Sequence, residues 1–182
     1  MKLPAIFKLR VLWPVISMTR STFPRSTVSR SSSVMSATTH GKTSMVASVF
    51  VGLLDTKTGA LDYVNAGHEE AYIVGATGVR LALPPTGPVL GIFAGANHTI
   101  ATANIERGET ILLYTDGVLE ATSQSGEQFS EQRVRSLLES WQGSADELLE
   151  MIVSSICKFT KGAGQHDDIT MLASRRESVL DS

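Results

Sequence analysis

Asp116 stands directly after the apolar run "TILLYT" and directly before Gly117, at a point where a strand must leave its sheet. Much further along, "QHDDIT" places Asp167 and Asp168 immediately before another apolar run, with His166 beside them. Carboxylates on loops at strand ends can meet in one cleft although they are distant in sequence. Hard divalent cations such as Mg²⁺ and Mn²⁺ are held by oxygen ligands of this kind, with water in the remaining positions. Two such ions about 3.5–4 Å apart orient and deprotonate a bridging water and neutralise charge on a phosphoryl group, so the chemistry suggested is metal-assisted hydrolysis. It needs no serine or cysteine nucleophile, and the chain has no clear setting for one. On spacing alone a plainer reading stays open: Asp-Gly after a strand also makes a turn, and an "HDD" loop also sits in water.

The elements that must carry these residues begin near Met45. "MVASVFVGLLD" (45–55) and "ALDYVNAG" (60–67) are β-rich runs joined by "DTKTG", which suits a tight turn, so they read as a hairpin. "EAYIVGATGVRLAL" (70–83) reads as two short strands around a glycine turn at 75–78. "PPTGPVLGI" is a Pro/Gly connection, and "HTIATANIERGETILLYTD" gives two more strands joined at "ERGE". The period then changes. Val134, Leu137, Leu138 and Trp141 recur at helical spacing and share a face. Ser144 and Glu147 have the spacing of a capping box for a second helix with an apolar stripe of Leu148, Leu149, Ile152, Ile156 and Phe159. Gly162 and Gly164 are expected to end it, and "ITMLAS" (169–174) to form a last strand. The fold class is α+β, with two adjacent helices near the C-terminus covering a mostly antiparallel sheet.

Charge divides the chain. Residues 1–54 hold seven Lys or Arg and no Asp or Glu, whereas residues 55–182 hold nine basic and eighteen acidic residues, a net of −9. An acidic field repels a polyphosphate backbone, so nucleic acid is not an expected partner. No stretch approaches the roughly 20 apolar residues of a membrane span. The basic Ser/Thr-rich stretch 1–43 reads either as an organelle transit peptide or as a disordered tail or misplaced start, so the expected location is cytoplasmic, or an organelle if the transit reading holds. Cys157, the single cysteine, excludes an internal disulfide and is expected to be a small buried hydrophobe on the second helix.

Four stretches, "FVGLLDTKTGALDYVNAGH" (50–68), "LPPTGPVLGI" (83–92), "ERGETILLYTDGVLEA" (106–121) and "QHDDITML" (165–172), together resemble the PPM-type (PP2C-like) metal-dependent protein phosphatases, in their bacterial SpoIIE-like branch. The resemblance runs from about residue 43 to 174. It implies a β-sandwich flanked by helices with a dinuclear Mn²⁺ or Mg²⁺ site at one end, and a protein serine/threonine phosphatase acting in signal transduction through a metal-activated water. Asp116 is similar to the metal-binding aspartate of the family's "TDG" motif and Asp167 to the one that precedes its last strand, which makes both the expected catalytic and metal residues. Asp168 and His166 are expected to support them, and Gly117 to be structural. The implied partner is a phosphorylated regulatory protein such as an anti-sigma-factor antagonist.

The chain also departs from that pattern. Stretches similar to "GDFYD" and "GDVSGKG", which would bring further metal ligands, do not occur, and "HGKTS" (40–44) has no carboxylate. The expected organisation is therefore a tail at 1–43, an incomplete phosphatase domain at 44–174 and a C-terminal tail at 175–182, with core faces left uncovered and open to association. A regulatory or truncated phosphatase-like binding module, without turnover, is the alternative. His68 matches the family's "NAGH", but Glu69-Glu70 follow where relatives commonly have Asn-Pro; a structural hydrogen-bonding role is expected for it. His98 reads as an ordinary turn residue and Glu120 as part of a solvated face.

Overall fold

The computed structural model describes residues 7–12, 30–37, 46–139, 141–161 and 169–177. Among them, two antiparallel sheets pack face to face, and two helices lie on the outer side of one sheet. The first sheet has the order β1 (Phe7–Leu12), β9 (Met171–Arg176), β8 (Thr110–Tyr114), β5 (Ala71–Gly75), β6 (Gly78–Leu83). The second has the order β2 (Arg30–Ala37), β3 (Ser48–Asp55), β4 (Ala60–Ala66), β7 (Ala101–Asn104). Every pairing between these strands is antiparallel.

Strand alternation explains the layering. In β5 and β8, Tyr72, Val74, Leu112 and Tyr114 face the helices, while Ala71, Ile73, Ile111 and Leu113 face the second sheet. These strands are buried on both sides, which is why they read as unbroken apolar runs. The helix-side layer is completed by Val134 and Leu138 of α1 (Ser130–Glu139) and by Leu148, Leu149, Ile152 and Ile156 of α2 (Ala145–Thr160). Between the sheets, Phe50, Leu61 and Tyr63 of β3 and β4 meet Ile73, Ile111 and Leu172, and Phe50 stacks on Tyr63 with ring centroids 5.4 Å apart.

The expected hairpins form: β3 pairs with β4, and β5 with β6. The capping box forms too, with the Ser144 side chain accepting from the Glu147 N–H and the Glu147 carboxylate accepting from the Ser144 N–H at 2.7 Å. Other expectations need correction. Trp141 is buried against the helices but lies beyond α1, which stops at Glu139. Cys157 is exposed, because it follows Ile156 by one residue, about 100° around the helix from the buried stripe. The two strands expected on either side of "ERGE" form as β7 and β8, the first in the second sheet and the other in the first. Parts of the stretch expected as a tail supply the edge strands β1 and β2. Helix α2 has its C-cap at Lys161 in a left-handed conformation; Gly162 and Gly164 lie outside the described residues. Among the described residues no helix is long and apolar enough to cross a membrane.

At the end of β9, Arg176 ties the sheets together. Its guanidinium is buried and donates to the carbonyls of Lys57 and Thr58 in the β3–β4 turn, and to that of Ile105 after β7, at 2.7–2.8 Å. Gly59 closes the same turn at φ 82°, and a Cβ there would overlap both Arg176 Nη1 and the Ile105 carbonyl. Gly59→Ala is therefore expected to destabilise the protein by more than about 1 kcal/mol, through a left-handed backbone and a displaced clamp. Urea unfolding checks this, and an unchanged midpoint would contradict the clamp.

Candidate active site

The cleft is built from two strand ends, one in each sheet. On the first sheet, β8 is buried along its whole length and fixes the position of the turn after it. Thr115 is extended (φ −85°, ψ 161°) and precedes a 3-10 turn, Asp116–Val118, with the Val118 N–H donating to the Thr115 carbonyl at 3.0 Å. Val118 is fully buried and anchors the turn, leaving Asp116 half-buried at its start. The Gly117 N–H donates to Asp116 Oδ1 at 3.0 Å, which restricts the carboxylate's rotation. Thr115 is also paired with the approach to β9: its N–H donates to the Thr170 carbonyl at 3.0 Å, and the Thr170 N–H donates to Thr115 Oγ1 at 3.0 Å.

The opposite wall follows β4. Asn65 is fully buried and its side-chain NH₂ donates to the carbonyls of Glu69 and Leu83, both at 3.3 Å. Its Oδ1 accepts from the His68 N–H at 2.8 Å, closing a tight loop that turns His68 inward. Gly67 permits this loop at φ 66°, where a Cβ would strike Val89. His68 is 3% exposed, with Nδ1 3.3 Å from Ser48 Oγ. Its Nε2 is buried and without a hydrogen-bond partner among the described residues. Ser48, Gly67, His68, Glu69, Val89 and Asp116 line a cleft of about 170 Å³.

The electrostatics are acidic. Burial pushes the Glu69 carboxyl above its ordinary pKa, and the charges of Asp116, Glu131, Glu120 and Glu70 push it further. Burial holds the His68 imidazole below its ordinary value, with the Asp116 charge pulling the other way, so His68 favours the neutral form.

Of the expected site residues, Asp116 lies in the cleft and Gly117 beneath it. Asp167, Asp168 and His166 lie outside the described residues. His98 sits away from the cleft lining, its Nε2 donating to the Pro88 carbonyl at 2.8 Å. Sequence reasoning gives His68 a structural role and Glu69 none; both line the cleft. The departure at Glu69-Glu70 is the signal that could have found them. The Asp116 carboxylate suits a hard divalent cation, but among the described residues no group of three or more His, Cys, Asp or Glu could hold one. The described part thus fits one ligand position and not a whole metal site.

Comparison with known proteins gives a family match from the sequence and a fold match from the structure. Residues 14–177 match the family Stage II sporulation protein E (SpoIIE). The chain is 38% identical over 137 residues to Protein IcfG of Synechocystis, covering 75% of this chain and 22% of that protein. It is 27% identical over 135 residues to the phosphoserine phosphatase RsbU of Bacillus subtilis, covering 74% and 40% respectively. Its fold is that of the SiaA-PP2C domain of Pseudomonas aeruginosa, with a TM-score of 0.64 at 21% identity over 72% of this chain and 52% of that one. The chain therefore spans well under half the length of these two curated relatives.

The raised Glu69 pKa has a stability consequence. A carboxyl whose folded-state pKa exceeds its unfolded value binds more protons in the native state, so its contribution to stability falls as pH rises from the ordinary carboxylate value through the raised one. Glu69→Gln removes that penalty. Thermal unfolding is expected to give a higher Tm than the parent near pH 7 and no gain at about pH 3, well below the ordinary carboxylate value, where both states carry the proton. An equal gain at both pH values would contradict the electrostatic origin.

Proposed function

The chain belongs to the SpoIIE family, and on that premise we propose that its cleft hydrolyses phosphoserine and phosphothreonine on a protein, with Mn²⁺ or Mg²⁺ held at Asp116 and Asp167. The observation that carries this reading is the placement of Asp116: a carboxylate on a hydrogen-bonded turn at the end of a fully buried strand, opening into a cleft. Thr170 is bonded to Thr115, beside Asp116, and three residues of chain from Thr170 back to Asp167 span at most about 10 Å. That reach is compatible with both carboxylates serving one site. Asp168 and His166 are its supporting residues, and Gly117 steadies Asp116.

When bound, the ion supplies charge neutralisation for the phosphoryl oxygens and lowers the pKa of water. The protein's own residues do the rest. The Gly117 N–H fixes the Asp116 carboxylate, and Asn65 fixes the loop that forms the opposite wall. His68, which burial keeps in the neutral form, adds no charge to that wall. The substrate is a phosphorylated regulatory protein of the anti-sigma-factor-antagonist type, in the cytoplasm. Similarity to RsbU and RsbP of Bacillus subtilis, both phosphoserine phosphatases, supports this class.

A second reading, a module that binds a phosphoprotein without turning it over, is favoured by one observation: the described residues offer Asp116 without a convergent ligand set. Phosphate release from a phosphoserine peptide in Mn²⁺, with and without EDTA, separates the two. The phosphatase reading expects turnover abolished by EDTA. Since even a supporting residue of a metal site is worth roughly 10- to 100-fold, Asp116→Asn and Asp167→Asn are each expected to reduce activity at least that much. Absence of Mn²⁺-dependent turnover in the folded parent, or full activity in Asp116→Asn, would overturn it.

A further inference from the structure

Large apolar side chains stand exposed in a loop that starts at the cleft. Leu90, Ile92 and Phe93 are 42%, 54% and 60% exposed, and Ile100, on the return of the same loop, is 68% exposed. Single exposed apolar residues are ordinary on a protein surface, but three within four positions form a local group of the kind that marks contact sites. Around them the chain is small: Gly91, Ala94, Gly95 and Ala96, with Gly91 and Gly95 turning at φ 85° and 78°. A Cβ on Gly95 would meet nothing within 4 Å, so the tip stands in open space.

The base of the loop is fixed, and it is fixed to the cleft. Val89 and Ala47 both line the cleft, and Leu90 exchanges two backbone hydrogen bonds with Ala47, at 2.9 and 3.0 Å. The two legs close on each other, with the Thr99 N–H donating to the Thr86 carbonyl at 3.1 Å and His98 Nε2 donating to the Pro88 carbonyl at 2.8 Å. Gly87 lets the legs approach, since a Cβ there would overlap His98 and the Asn97 carbonyl. Apolar side chains on a base held in this way lose less freedom on binding than the same side chains on a free segment.

Reach and charge decide what covers the tip. The four residues from Val89 to Phe93 span at most about 14 Å, a distance that an extended peptide covers with about four residues of its own. The tip is therefore within reach of residues flanking a phosphoserine whose phosphate lies at Asp116, in the same cleft. Residues 83–100 contain no Lys, Arg, Asp or Glu, and Glu69 and Asp116 line the cleft beside them. An anionic bilayer is held by basic side chains, which this loop does not have, and a few apolar side chains alone hold a membrane weakly. Apolar contact with a protein needs no such charge.

We propose that Ile92 and Phe93, with Leu90 at their base, dock an apolar side chain of the substrate protein a few residues from its phosphorylated serine. This docking rests on the phosphatase reading of the adjoining cleft, in which Asp116 stays with the phosphoryl group.

The test uses the full chain and two fluorescent peptides of equal length and charge, each carrying a non-hydrolysable phosphonate analogue of phosphoserine. One has leucine three residues to either side of the phosphonate, the other serine. Fluorescence anisotropy is expected to give a Kd about tenfold lower for the leucine peptide, the scale of burying one such side chain. Ile92→Ser and Phe93→Ser are each expected to shrink that preference severalfold, and high salt to leave it in place. Equal affinities in the parent, or a preference unchanged in both variants, would overturn the inference. So would equal peptide affinities together with pelleting on phosphatidylcholine vesicles, or a dimer in sedimentation, that Phe93→Ser abolishes, since the tip would then serve a membrane or a second copy. Phosphate release in Mn²⁺ from the corresponding phosphoserine peptides separates this outcome from the broader one. Turnover without discrimination overturns the docking and leaves the phosphatase standing; discrimination in binding without any turnover supports the docking and counts against the phosphatase.

Discussion

A strand that has lost water from both faces has to be covered twice, and β5 and β8 impose that requirement on everything around them. One cover is helical: Tyr72, Val74, Leu112 and Tyr114 are sealed by α1 and α2, with Trp141 completing the layer after α1 has ended. The other cover is the second sheet, which brings Phe50, Leu61 and Tyr63 over Ile73 and Ile111. Because β8 cannot shift without disturbing two packed layers, its following turn is placed by the core, and Asp116 is held there by hydrogen bonds over a rigid base. The proposed metal role of Asp116 would gain from such a base, since ligand position sets how well an ion that prefers fixed geometry is held.

Much of this is legible in the sequence because it is local. The β3–β4 hairpin follows from alternation and a turn, and the Ser144–Glu147 capping box from a spacing of three residues. Asp116 is legible for the same reason, since a carboxylate and a glycine after "TILLYT" must sit at a strand end. The misreadings share a cause as well. Trp141 continues the helical spacing in sequence, yet its place is decided by packing after the helix stops. Cys157 is apolar enough to be buried, but Ile156 already occupies the inward direction. The division of β7 and β8 between two sheets, on which the sequence reading is silent, depends on their partners β4 and β5, and no local pattern in "ERGE" announces it.

The wall formed by His68 and Glu69 is the least legible part, since it depends on contacts between distant segments. Asn65 reaches Leu83 and the Glu69 backbone, Gly67 fits against Val89, and Ser48 comes from the start of another strand. A motif ending in Gly-His therefore says little about which way the ring points. The Asn65 side chain decides that, by bonding the chain on both sides of the histidine.

The two sides of the cleft belong to different layers. Asp116 extends from the sheet that carries the helices, whereas Ser48 and His68 are attached to β3 and β4, whose outer face leaves Val51 and Leu53 about 40% exposed. The layers meet through apolar contacts between the sheets, through Arg176 at the far end of β9 from Thr170, and beside the cleft through Asn65 of β4, whose side chain donates to the Leu83 carbonyl of β6. The width of the cleft is thus held from both layers: the Asn65 side chain that fixes the His68 N–H also grips the sheet that carries Asp116, so the same residue orients one wall and spaces it from the other.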